Sequence, residues 1–135
     1  MKNLYLEKYD ASIRYYDILG EGETIVFLPG LSVASIANFL SVTTNPKLHI
    51  HRSIMVDYIG SGFSDHSEIF SYDMEDHAET VANILDHENI KGAIVVGHSM
   101  GGTVAIMLAI SRPDLVSKLI VGEGNIVRGG GGSYK

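Results

Sequence analysis

The sequence has no cysteine and little positive charge. Without cysteine among its 135 residues, the chain forms neither disulfide bonds nor thiolate metal sites. Ten Lys and Arg stand against 16 Asp and Glu, so the formal net charge is -6. Because nucleic-acid binding needs basic residues that neutralise phosphates, nucleic acid is not expected as a partner. Nine carboxylates and no Lys or Arg occur between residues 57 and 89, and we interpret this bias as a solvated acidic face.

The sequence also lacks an unbroken hydrophobic run. The stretch Gly92–Ser111 has no Asp, Glu, Lys or Arg and has the length of a membrane-spanning helix. Its centre is interrupted by five small or polar residues, which argues against a membrane span: Gly97, His98, Ser99, Gly101 and Gly102. Residues 1–10 are mixed and charged and lack the apolar core of a signal peptide, so a cytoplasmic location is predicted.

The residues that are present predict an α/β domain. An opening hairpin of two strands, turning at Tyr9-Asp10, is followed by strands that alternate with helices, and this order favours a mostly parallel sheet with helices on both faces. Strands are predicted at residues 24–28, 53–56, 93–96 and 118–121, and helices at 34–40, 74–85 and 103–110. The predicted core is residues 1–127, and residues 128–135 are predicted to be a Gly-rich flexible tail.

Two of these helices carry specific expectations. The helix at residues 74–85 is apolar on one face, so Ser71 is predicted as its N-cap, and His77 and His87 are predicted to be exposed. The helix at residues 103–110 is apolar almost all round and is predicted to be buried in the centre of the molecule.

The segment Gly97-His98-Ser99-Met100-Gly101 lies between a predicted buried strand and a predicted buried helix. A serine at a sharp strand-to-helix turn projects its hydroxyl above the sheet, and small residues two positions before and after it allow the close approach. The N-terminus of the following helix favours developing negative charge. The alternative is a Gly-rich turn without chemistry, but the strand before and the helix after favour a nucleophile at Ser99.

Four separated segments together resemble the α/β-hydrolase superfamily. They are, in chain order, residues 27–31 (FLPGL), 56–65 (VDYIGSGFSD), 96–102 (VGHSMGG) and 113–121 (PDLVSKLIV). The resemblance implies the N-terminal portion of that fold. It also implies a serine hydrolase in which Ser99 attacks esters or related acyl bonds of small molecules and no cofactor takes part. By the same resemblance, the backbone N–H groups of Leu31 and Met100 form the oxyanion hole, and Asp57 braces the neighbouring loops.

The resemblance also implies a catalytic histidine after Ser99, which this sequence does not contain. In the superfamily the catalytic histidine follows the nucleophile, whereas all six histidines here precede Ser99. The chain then corresponds to an incomplete hydrolase, in which Glu123 is a candidate acid after the sixth strand. His98 as the base, or a metal pair of His49 and His51 on one strand face, are weaker alternatives.

Two further hypotheses remain from the sequence. One is a non-catalytic, ligand-binding or truncated chain of the same fold. The other is self-association, because the sixth strand would be an unpaired apolar edge.

Overall fold

The computed structural model describes residues 1–124. The predicted tail at residues 128–135, like the predicted domain boundary at 127, lies outside the described residues. Within residues 1–124 the elements follow in this order: β1 (Lys2–Leu6), β2 (Ala11–Ile18), β3 (Gly22–Leu28), α1 (Ser35–Thr43), β4 (His51–Asp57), α2 (Met74–His87), β5 (Ala93–His98), α3 (Met100–Ser111) and β6 (Val116–Gly122).

The six strands form one sheet in the order β1-β2-β4-β3-β5-β6. β1 pairs antiparallel with β2, and β2 pairs antiparallel with β4. The pairs β3–β4, β3–β5 and β5–β6 are parallel. The predicted opening hairpin and the mostly parallel sheet are therefore confirmed. The hairpin closes through a short 3-10 turn at Glu7–Tyr9 and a left-handed Asp10 with φ 45°.

Helices cover both faces of the sheet. Successive side chains of each strand point to opposite faces, so each face contributes side chains to a core. α2 and α3 cover one face, where Val26 and Leu28 of β3 pack with the buried Leu85 and Leu108 in the main core. α1 covers the other face, where its Phe39 packs in a smaller core with side chains of β3 and β4 that include Met55. Each fully buried large apolar side chain contributes about 1.5–3 kcal/mol to folding, so the central strands are firmly held.

α2 corrects two predictions. Its N-cap is Asp73 and not Ser71, whose hydroxyl instead accepts the Asp73 N–H at 3.0 Å. His77 was expected to be exposed but is buried with 3% exposure, since it lies on the face of α2 that packs inward among aromatic rings. His87 is exposed as predicted.

α3 corrects the prediction of an all-round buried helix. Its buried residues lie on the side that packs against the sheet, whereas Ile110 on the other side is 71% exposed. α3 has 12 residues, and in residues 1–124 no helix is both long and apolar enough to cross a bilayer.

The structure also contradicts the shared strand face of His49 and His51. β4 begins at His51, and His49 lies in the preceding turn, where its N–H donates to the Asn45 carbonyl. The alternation that would align two histidines therefore does not extend to His49.

Candidate active site

Ser99 sits at the turn between β5 and α3. Its backbone has φ 53° and ψ -121°, a left-handed conformation that side-chain-bearing residues rarely adopt. Such strain costs about 1–3 kcal/mol and persists only where surrounding contacts enforce it. The enforcing contacts here include the Ser99 N–H, which donates to the Gly122 carbonyl at 2.8 Å, and the Ser99 carbonyl, which accepts the Gly102 N–H at 2.9 Å. Ser99 is also the N-cap residue of α3.

The two glycines that flank Ser99 are required by close backbone packing. A Cβ added to Gly97 would overlap the carbonyl oxygen of Gly101, and one added to Gly101 would overlap the carbonyl oxygen of Leu28. The sequence pattern of small residues at 97 and 101 therefore has the steric cause that was predicted for a sharp strand-to-helix turn.

The loop that follows β3 lies directly against this turn. A Cβ placed on Gly30 would be 3.6 Å from His98 Nδ1 and 3.7 Å from Ser99 Cβ. Leu31 is the next residue, in a turn, with its side chain 70% exposed. Met100 is the first residue of α3, and the first N–H groups of a helix have no partner within that helix. The structure thus places Met100 directly after Ser99 and brings the loop that carries Leu31 close to it.

The buried Asp57 ties together two loops beside the site. Its Oδ1 accepts both the N–H and the hydroxyl of Ser35 at 2.7 Å, and its Oδ2 accepts the Phe63 N–H at 2.9 Å. Asp57 is fully buried at the end of β4, so these bonds join the start of α1 to the loop after β4. The predicted bracing role of Asp57 is confirmed.

Glu123 directly follows β6, and its side chain contacts His98. Its Oε2 lies 3.2 Å from His98 Nε2, and its side chain is 84% exposed. A carboxylate accepts a hydrogen bond, so this contact is a hydrogen bond when His98 carries a proton on Nε2. His98 Nδ1 is buried and has no hydrogen-bond partner. His98 therefore contacts Glu123 through Nε2, and its Nδ1 makes no hydrogen bond to Ser99.

Sequence reasoning missed the contact between His98 and Glu123, as well as two supporting residues. Ser35 bonds Asp57, and the Asn38 side chain accepts the Gly30 N–H at 3.3 Å. The parallel register of β5 and β6 places His98 beside Gly122, so aligning the two strands would have indicated that Glu123 lies near His98. No comparable pattern in the sequence marks Ser35 or Asn38.

Comparison with known proteins agrees with this geometry. The sequence model of the family described as alpha/beta hydrolase fold matches residues 23–124. The sn-1-specific diacylglycerol lipase ABHD11 of Danio rerio is 34% identical over 107 residues, which is 78% of this chain and 33% of the lipase.

Solved structures show the same relationship. The N-acyl homoserine lactone degrading enzyme Est816 superposes with a TM-score of 0.80 at 28% identity, over 91% of this chain and 45% of that chain. The esterase EaEST from Exiguobacterium antarcticum superposes with a TM-score of 0.75 at 28% identity, over 85% of this chain and 42% of that chain.

The fold, the strand-turn-helix at Ser99 and these matches define the class: the chain belongs to the α/β hydrolase family. It spans less than half the length of each of these relatives.

Proposed function

We propose that Ser99 is the nucleophile of a serine hydrolase that acts on small esters or related acyl bonds. The observation that carries this proposal is the strained backbone of Ser99 at the N-terminus of α3, held in place by the Gly122 carbonyl. Strain of this kind concentrates at catalytic positions. Relatives whose names describe an esterase, a lipase and a lactone-degrading enzyme support the reaction class.

The proposed reaction passes through an acyl-enzyme. Ser99 Oγ attacks the carbonyl carbon as a base removes its proton, and the backbone N–H groups of Leu31 and Met100 stabilise the resulting oxyanion. Collapse of this intermediate expels the alcohol, which takes up the proton, and water then releases the acid and frees Ser99. Each oxyanion donor typically lowers the barrier by about 3–4 kcal/mol. The chemistry needs no cofactor.

Three histidines are poorly placed to act as the general base. His98 is committed to Glu123 through Nε2, while its Nδ1 is buried. His77 is buried under α2, and His51 begins β4, at the end of the strand opposite to Ser99. We therefore assign the role of general base to none of these three histidines. Glu123 is either the acid that orients the base or, as its contact with His98 favours, the partner that positions His98.

The second candidate function is a ligand-binding chain without catalysis, and the position of all six histidines before Ser99 favours it. The cytoplasmic location stays a prediction of the sequence.

Ester cleavage in the presence of imidazole tests the proposal, because a diffusible base can replace a missing one. We expect the chain to release p-nitrophenol from p-nitrophenyl butyrate faster than imidazole alone, with saturation in ester. Ser99→Ala should remove this increment. Ser111→Ala, at the far end of α3, should retain it. Equal rates for the wild type and Ser99→Ala would instead support the non-catalytic candidate.

A further inference from the structure

The loop between β3 and α1 carries Leu31 and is fixed at both of its ends. It covers residues 29–34, between the last residue of β3 and the first residue of α1. At its far end, the N–H and the hydroxyl of Ser35 both donate to Asp57 Oδ1 at 2.7 Å. The loop is therefore anchored to β3 at one end and, through the buried Asp57, to β4 at the other.

Gly30 is the residue of this loop that lies against Ser99. A Cβ on Gly30 would be 3.7 Å from Ser99 Cβ, so the Gly30 backbone passes close to the proposed nucleophile. The carbonyl of Gly30 shares a planar peptide unit with the Leu31 N–H, so rotation about the Cα–C bond of Gly30 turns that N–H as well. Glycine has wider backbone freedom than other residues. A contact from outside the loop is therefore needed to fix the direction of the Leu31 N–H.

Asn38 makes such a contact. Its side-chain Oδ1 accepts the Gly30 N–H at 3.3 Å. Asn38 lies in α1, which begins at the anchored Ser35 and packs on the sheet through the buried Phe39. A side chain on a packed helix positions its partner more precisely than a side chain on a loop. Asparagine is a weak helix former, so helix formation itself does not favour this residue at position 38.

We propose that Asn38 is a positioning residue of the oxyanion hole, and that it holds Gly30 so that the Leu31 N–H points at the carbonyl oxygen of the substrate. This inference rests on the proposed function of Ser99. Asn38 acts through Gly30 and does not bond the substrate itself. A neutral amide suits this place, because a carboxylate would repel the negative charge that develops on the substrate oxygen. A donor that is aligned in advance needs no reorganisation at the moment of reaction.

Exchange of the Gly30 amide hydrogen with solvent, followed by NMR, tests the contact without any catalysis. Asn38→Leu keeps nearly the same side-chain size and removes the acceptor. We expect the Gly30 amide to exchange about fivefold faster in this variant, since one hydrogen bond of ordinary strength is lost. The matched control is Asn45→Leu, because Asn45 Oδ1 also accepts a backbone N–H, that of Lys47 at 2.9 Å. The control should exchange Gly30 at the wild-type rate, and the same rate in Asn38→Leu would overturn the proposal.

A pair of substrates tests whether this contact aligns the oxyanion hole. The pair is p-nitrophenyl butyrate and its thionoester, in which sulfur replaces the carbonyl oxygen, and both rates are measured with imidazole and corrected by Ser99→Ala. Sulfur is a weak hydrogen-bond acceptor, so the thionoester gains little from the Leu31 N–H. We expect Asn38→Leu to lower the ratio of the ester rate to the thionoester rate about tenfold, which is part of the roughly 10²–10³-fold cost of losing a whole donor. An unfolded fraction lowers both rates equally and leaves this ratio unchanged.

The outcomes distinguish this proposal from the proposed function. If the wild type and Ser99→Ala cleave both substrates at the same rate, the proposed function fails and the role of Asn38 fails with it. If cleavage depends on Ser99 but Asn38→Leu has the rate ratio of the wild type and of Asn45→Leu, the positioning role of Asn38 alone is overturned.

Discussion

At the scale of single residues, the strand-to-helix turn at Ser99 was the most predictable feature. Gly97 and Gly101 mark it in the sequence because a side chain at either position would overlap a neighbouring backbone carbonyl. The buried Asp57 was also predictable, since it directly follows an apolar strand. The contact of His98 with Glu123 was not, because the two residues meet only after β5 and β6 pair.

The prediction that His77 is exposed was wrong, and its burial has a measurable consequence. The acidic residues around it in the sequence suggested an exposed face, but the ring packs among Tyr58, Phe70 and Tyr72. Burial lowers the pKa of His77 from 6.5 to about 4, although the nearby Asp76 and Asp73 oppose this shift. Its Nδ1 and the Tyr58 hydroxyl are both buried without a hydrogen-bond partner.

We therefore predict that His77 makes the protein sensitive to acid between about pH 6.5 and pH 4. In this range the unfolded chain binds a proton that the folded chain does not, so the free energy of unfolding falls as the pH falls, by about 1–3 kcal/mol in total. Urea unfolding of His77→Leu at several pH values should show this loss removed. The exposed His87→Leu should retain it. The same pH dependence in His77→Leu and the wild type would disprove the assignment.

At the scale of elements, the order and type of the helices and strands followed from the sequence pattern. The side-chain contacts that join these elements did not. Runs of apolar residues located β3, β4 and β5 to within a few residues. A charged cluster joins β1, β2, β4 and the end of α2. The sequence gave no signal of it, because its members lie up to 86 positions apart. In that cluster Arg52 donates to Asp17 at 2.8 and 2.9 Å and to Glu88 at 2.6 Å.

We predict that Arg52→Met destabilises the protein by about 3 kcal/mol, because it leaves a buried carboxylate poorly compensated. The Asp17 side chain is only 2% exposed, and the hydrogen bonds from Arg52 hold the pKa of Asp17 below its ordinary value. Arg14→Met breaks the more exposed pair with Asp65 and should cost about 1 kcal/mol or less. Chemical denaturation of both variants at pH 7 measures the difference, and equal losses would contradict a special role for the buried cluster.

At the scale of the whole molecule, the sheet is asymmetric. Within residues 1–124, the first strand of the sheet carries Lys2 and its ion pairs, and the last strand, β6, has exposed apolar side chains. The sequence located this strand through the apolar run at residues 118–121. The partly exposed α3 follows from the same asymmetry, since the described residues cover only its inner side.

The candidate site lies at the carboxyl ends of the parallel strands, where the loop after β3 lies against Ser99 and Asp57 joins the start of α1 to the loop after β4. The central claim is that this arrangement makes Ser99 a nucleophile. The most direct test is to incubate the chain with a fluorophosphonate probe in the presence of imidazole and to locate the adduct by peptide mass spectrometry. We predict one adduct, on Ser99, that is absent from Ser99→Ala and present in Ser111→Ala. An adduct on another residue, or none on the folded chain, would contradict the claim.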